Sequence, residues 1–134
     1  MKEFQTRDMS DLLEADLNSI KDNKKSNTKI TLENPTTKSE FPCRLIHTPL
    51  DSVIKSENAI PVLKDFQITI EHWASKQRNC MEMASNTDEI LRKRNMLRVD
   101  TQPIIYDEIT KKHRLITKYE VRWNALTNSF NFIR

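Results

Sequence analysis

Glycine is absent from all 134 residues of this chain. Average usage would put it at about 7%. Glycine lets a backbone approach phosphates closely and adopt positive φ at little steric cost. Its absence excludes the Walker A loop, the G-x-G-x-x-G dinucleotide fingerprint, the kinase glycine-rich loop and the G-x-S-x-G nucleophile elbow. Most glycine-dependent nucleotide chemistry goes with them. Turns must use Asn, Asp, Ser and Pro instead, and eleven Asn are present.

Cysteine is scarce too. Cys43 and Cys80 are too few for a disulfide framework and read as reduced, partly buried thiols. No apolar run approaches the roughly 18 residues of a membrane-spanning helix, and no signal-peptide hydrophobic region follows Met1. The expectation is a soluble intracellular protein. Neither charge sign dominates: 22 basic and 19 acidic residues give a net charge of +3, which does not by itself mark a nucleic-acid binder.

What is present suits one domain spanning residues 1–134. The mass is 15.8 kDa and the mean hydropathy is -0.70, with five Phe, two Trp and two Tyr to seed a core. Residues 1–9 read as a frayed start. Leu13, Leu17 and Ile20 recur at helical spacing, so a helix is expected over 11–22 with Ser10 as its cap. A second helix is expected over 76–94. Ser75 caps it, Cys80, Met83, Ala84, Thr87, Ile90 and Leu91 form its apolar stripe, and Arg92-Lys93-Arg94 suit the carbonyl end.

Strands are expected at 28–32, 41–48, 62–73, 96–101, 104–106 and 113–124. In 62–73, Val62, Phe66, Ile68 and Ile70 alternate with Asp65, Gln67, Thr69 and Glu71. In 113–124, Leu115, Tyr119, Val121 and Trp123 alternate with Arg114, Lys118, Glu120 and Arg122. Period two of this kind marks half-buried antiparallel strands. Pro42 makes 41–48 an edge or a strand start, so Phe41, Arg44 and Ile46 are taken as a free edge suited to a subunit interface. Segments 21–40 and 49–61 are polar and aperiodic and read as mobile loops. The helices do not separate the strands one by one. The fold class is therefore α+β, mainly an antiparallel β-sheet with two α-helices packed on one face.

The chemistry-bearing residues form no catalytic set. Cys43, His47, His72, Cys80 and His113 lack the paired spacing of structural zinc, so no cofactor or metal is expected. Cys80 lies on the apolar helix stripe, unlike an activated thiolate. Asp100 with Glu120-Val121-Arg122 loosely echoes a metal-dependent nuclease, but arginine stands where the lysine belongs. Lys111, Lys112 and Arg114 lie at a hairpin tip without structural need, which makes them candidates for contact with phosphate or an acidic partner.

The train of elements resembles the tail-terminator and tail-completion proteins of long-tailed bacteriophages. An amphipathic N-terminal helix precedes a strand opening with Phe41-Pro42, then the strand Phe66-Gln-Ile-Thr-Ile-Glu-His-Trp73. The helix Lys76 to Leu91 follows, and a hairpin closes on Arg114-Leu-Ile-Thr-Lys-Tyr-Glu-Val-Arg-Trp123. The likeness spans residues 10–124; the long polar stretch 21–40 and the missing glycines depart from it. The resemblance implies a non-enzymatic virion protein at the head–tail interface, made in the host cytoplasm and assembled as a ring, often a hexamer. Its partners would be itself, the tail-tube protein, the head-completion or connector protein, and DNA sliding through the channel. A head-completion or neck role, a basic nucleic-acid-binding α+β module and a small metal-dependent nuclease are the alternatives.

Overall fold

The computed structural model describes residues 3–22 and 28–133. Helix α1 covers Thr6–Asn18 and helix α2 covers Gln77–Arg92. The strands are β1 (Lys29–Thr31), β2 (Cys43–Ile46), β3 (Leu50–Glu57), β4 (Ile60–Ala74), β5 (Leu97–Thr101), β6 (Ile105–Asp107), β7 (Lys112–Asn124) and β8 (Ser129–Asn131). They form one eight-stranded sheet with the backbone order β1-β2-β4-β7-β5. Among the described residues only β1–β2 is parallel; β3 pairs β4, and β6 and β8 pair β7, all antiparallel. The chain is α+β, as its sequence pattern indicates.

The alternating residues of β4 and β7 put one face of the sheet under the helices. Phe66, Ile68, Ile70, Tyr119 and Val121 are buried there against Met9, Leu13 and Leu17 of α1 and Leu91 of α2. Met83, Cys80 and Ala84 of α2 pack with Ala74 and Leu115 at the other end. Tyr119 Oη–H donates to Asp88 Oδ1 at 2.5 Å, and Asp88 pairs with Arg98 at 3.0 Å, tying β7, α2 and β5 together.

Four expectations are corrected. The frayed start does not hold from residue 3 onward, while residues 1–2 lie outside the described set. Gln5 and Asp8 form a reciprocal capping box, so α1 begins at Thr6 and not at Asp11. Phe4 packs on Phe66, Trp123 and Phe130 with ring centroids 5.8, 4.6 and 5.6 Å away. The buried Lys64 ammonium binds Phe4 O at 3.1 Å, Glu3 at 2.6 Å and Asp51 at 3.1 Å. Burial opposes its charge, but the hydrogen bonds and charges of Glu3 and Asp51 prevail and hold its pKa above the ordinary lysine value.

Segment 49–61 is not an irregular loop: β3 and the start of β4 form a hairpin closed by Asn58 and Ala59 at φ 51° and 62°. Two consecutive positive-φ residues give the twist of a two-residue hairpin loop. Segment 21–40 is not loop throughout: it contains β1, which lies within the strand expected at 28–32, while residues 23–27 lie outside the described set. Finally, β2 is no edge. β1 runs beside Cys43–Leu45 and β4 lies on its other side, so Phe41, Arg44 and Ile46 are not the free-edge interface expected of them. Arg44 and Ile46 are buried on the helix face.

α2 ends without glycine. Asn95 takes φ 62°, its N–H reaches Arg92 O at 3.0 Å, and Met96 N–H reaches Leu91 O at 3.2 Å. This is the bond pair of a Schellman closure, with Met96 and Leu91 in the core.

Candidate functional site

The face of the sheet away from the helices carries a compact cluster at the end where β6 turns into β7. The antiparallel register sets Cys43 opposite Trp73, Leu45 opposite Glu71, Arg114 opposite Trp73 and Ile105 opposite Arg114. Their side chains therefore share this face. Glu71 is the hub and is buried. Trp73 Nε1–H donates to Glu71 Oε1 at 3.0 Å, His47 Nε2 meets Oε2, and Arg114 Nη1 lies 3.9 Å from Oε1. The Arg114 guanidinium sits over the Trp73 ring at 5.7 Å. Lys112 Nζ sits over Phe41 at 5.4 Å and binds Ser75 Oγ at 3.2 Å, while Phe41 and Trp73 have centroids 6.3 Å apart.

Three residues singled out from the sequence thus meet here: Phe41, Lys112 and Arg114. Lys111 is adjacent and exposed, at φ 58° in the turn. Arg44 and Ile46 point to the other face. The hub itself, Glu71 with Trp73 and His47, was missed by sequence reasoning. Glu71 sits in the polar half of an alternating strand, which reads as solvated. The local signal was the Glu71-x-Trp73 spacing, which stacks an acceptor beside an indole donor on one face.

Burial, reinforced by the Glu71 charge, pushes the Cys43 thiol up to about 12. Burial pushes Cys80 up to about 11, and its thiol faces His113 O at 3.4 Å. Neither thiol yields the thiolate that nucleophilic work requires at neutral pH. Among the described residues, no group of three or more His, Cys, Asp or Glu is arranged to hold a metal ion. Neither helix is long and apolar enough to cross a membrane.

The sheet's lateral edges form the second candidate surface. On one side all eight residues of β3 are exposed, Leu50, Val53 and Ile54 among them, and among the described residues only β4 pairs with it. On the other side β5 and β6 expose Leu97, Val99, Ile105 and Tyr106, and the hairpin tip carries Ile109 at 77% exposure. An apolar edge strand with unpaired backbone groups is a ready contact surface.

Comparison of the chain with protein-family models and with curated proteins returns no match.

Proposed function

We propose that this chain is a non-enzymatic structural subunit of a long-tailed bacteriophage, closing the tail tube and joining it to the head connector as a ring around the DNA channel. One observation carries the reading. The sheet leaves apolar residues exposed along both of its lateral edges, Leu50, Val53 and Ile54 on β3 and Leu97, Val99 and Ile105 on β5 and β6. A subunit with a contact surface on each side is what a closed ring of identical copies requires. The layout of helices and strands, which resembles that of tail-completion proteins, supports a location in the virion.

DNA must slide through such a ring, so the lumen needs weak, sequence-blind charge. A net charge of +3 suits that. Lys111, Lys112 and Arg114, gathered at one end of the sheet, face the channel or the adjoining ring in this reading. The partners are further copies of the chain, the tail-tube protein and the connector.

The test is head–tail joining. Replacing Lys111 and Lys112 together by Glu should keep the fold, at the cost of the Lys112 contacts with Ser75 and Phe41, and reduce the number of filled heads that acquire tails. If tails lacking this protein attach to filled heads and infect normally, the reading is wrong.

A further inference from the structure

One buried ammonium holds two separate parts of the chain. The Lys64 side chain is 3% exposed. Its Nζ lies 2.6 Å from Glu3 Oε1 and donates to Phe4 O at 3.1 Å and to Asp51 Oδ2 of β3 at 3.1 Å. The register explains the meeting. Asp51 stands opposite Phe66 and Val53 opposite Lys64, so Asp51 is the diagonal neighbour of Lys64 on one face. Trp123 stands opposite Lys64 on the β7 side. Phe4 packs on that indole at 4.6 Å and also meets Phe66 and Phe130, which lays the Glu3–Phe4 segment across Lys64.

β3 has little besides its β4 ladder to hold it. All eight of its residues are exposed, and none belongs to the hydrophobic core. Among the described residues, Asp51 makes the one side-chain polar contact that ties β3 to the rest of the chain, while the Lys55–Glu57 pair stays within the strand.

We propose that the Glu3–Phe4 segment is a strap that sets how firmly the β3 hairpin is held, with Lys64 as the residue that couples them. With the strap in place Lys64 is shut off from water, and a buried charge is costly unless it is paired and hydrogen-bonded. Asp51 then supplies one of three oxygens, one for each N–H of the ammonium. With the strap displaced, water reaches the ammonium and replaces the carboxylate at little cost, as at any exposed ion pair. The hairpin keeps its ladder and loses its side-chain anchor. Linkage makes the effect mutual: whatever draws Asp51 away from Lys64 loosens the strap by the same factor. The coupling belongs to the single chain and does not depend on the ring.

Hydrogen exchange on the full chain tests this, with circular dichroism checking the fold. Phe4→Ala removes the aromatic anchor of the strap and leaves Lys64 and Asp51 in place. The amides of Leu50–Glu57 bonded to β4 should then exchange at least about fivefold faster, the low end of ordinary coupling between sites. The amides of the β6–β7 ladder, at the far end of β7 from Trp123, should keep their rates. Unchanged β3 rates, or equal acceleration of both sets, would overturn the coupling. Asp51→Asn tests the reverse direction. The Trp123 indole N–H is buried without a hydrogen-bond partner, so the side chains over it are its protection, Phe4 among them. Its exchange should quicken in Asp51→Asn as well as in Phe4→Ala; a wild-type rate in Asp51→Asn would break the required reciprocity and the proposal with it. The double variant should quicken β3 by clearly less than the product of the two single effects, whereas a full product would mark the two contacts as independent. If Phe4→Ala does not fold, Glu3→Gln takes its place in the same measurements.

Discussion

Arg44 and Asp22 form a two-pronged ion pair inside the protein: Arg44 Nη1–H and Nη2–H donate to the two Asp22 oxygens at 2.8 and 2.9 Å, and the Arg44 side chain is fully buried. Two further N–H groups of the guanidinium are engaged. Its Nε–H donates to Thr87 Oγ1 at 2.9 Å and Nη2–H also donates to Met83 O at 2.9 Å. Asn86 Nδ2–H donates to Asp22 Oδ1 at 2.9 Å, and the Thr28 hydroxyl donates to Oδ2. One residue of β2 thereby fastens the segment after α1 to the middle of α2. Removing one member of a buried pair strands the other charge, at a cost of about 3–5 kcal/mol. Asp22→Ala should lower the urea midpoint by that order, and Asp22→Ala with Arg44→Met should recover part of the loss. A single variant as stable as the wild type would show that the pair is hydrated.

His72 makes the same network sensitive to acid. Its Nδ1–H donates to Leu115 O at 3.0 Å, leaving Nε2 to accept from the Thr87 hydroxyl at 2.8 Å. Burial, helped by the Arg44 charge, pushes its pKa down to about 3 from an ordinary 6.5. Between those values the unfolded chain binds the proton and the folded chain does not, so stability falls as pH drops through that window. The slope from this one group is about 1.4 kcal/mol per pH unit. Asp22 adds loss at the acid end: burial raises its pKa, but the Arg44 hydrogen bonds and charge outweigh this and hold it below the ordinary carboxylate value. Unfolding free energies measured from neutral pH down to pH 4 should show this slope in the wild type and lose it in His72→Gln.

The hairpin loop carries the conformational cost of a chain without glycine. Ala59 holds φ 62°, a region that costs an ordinary L-residue about 1–2 kcal/mol. Ala59→Gly relieves that strain but gives the unfolded chain more freedom, which offsets part of the gain. The net expectation is a stabilisation of about 0.5–1 kcal/mol, read as a rise in melting temperature. A fall would mean that the Ala59 methyl makes contacts worth more than the strain.

Core position decides how two isoleucines respond to truncation. Ile70 is fully buried beneath both helices, while Ile90 is half-buried at the margin of the same cluster. Ile70→Ala should cost about 2–5 kcal/mol and Ile90→Ala clearly less. Equal losses in chemical denaturation would place Ile90 in the core and redraw the packed face of α2.

The legibility of these elements followed from how much information each carried locally. β4, β7 and α2 were readable because each repeats an apolar residue at a fixed period over several turns or pleats. β3 was not, since all eight of its residues are exposed and no buried face imprints an alternation on it. The place of β2 in the sheet was misread because Pro42 marks a strand start as readily as an edge, and neighbours are chosen by tertiary packing. Arg44 was read as an edge residue because its partners, Asp22 and Thr87, lie 22 and 43 residues away in sequence. At the corner cluster the cations Lys112 and Arg114 were legible from the hairpin, but Glu71 beneath them was not. Only the register brings its carboxylate under Trp73 and Arg114.

β3 offers the most direct test of the proposed assembly. Among the described residues it has β4 on one side and no strand on the other, so in the antiparallel ladder only alternate amides point at a partner. In the isolated chain, amide exchange across Leu50–Glu57 should therefore alternate between slow and fast residues, with the pattern broken at the bulges around Val53 and Ser56. Uniformly fast exchange would mean that the hairpin is open in the free subunit. In the proposed ring, apolar side chains of a neighbour would exclude water from its outer amides. The fast set should then slow while the amides already bonded to β4 change little. Exchange measured before and after attachment to tails separates these amides residue by residue. An outer set that stays fast in the assembled state would show that β3 faces solvent there and that the subunits join elsewhere.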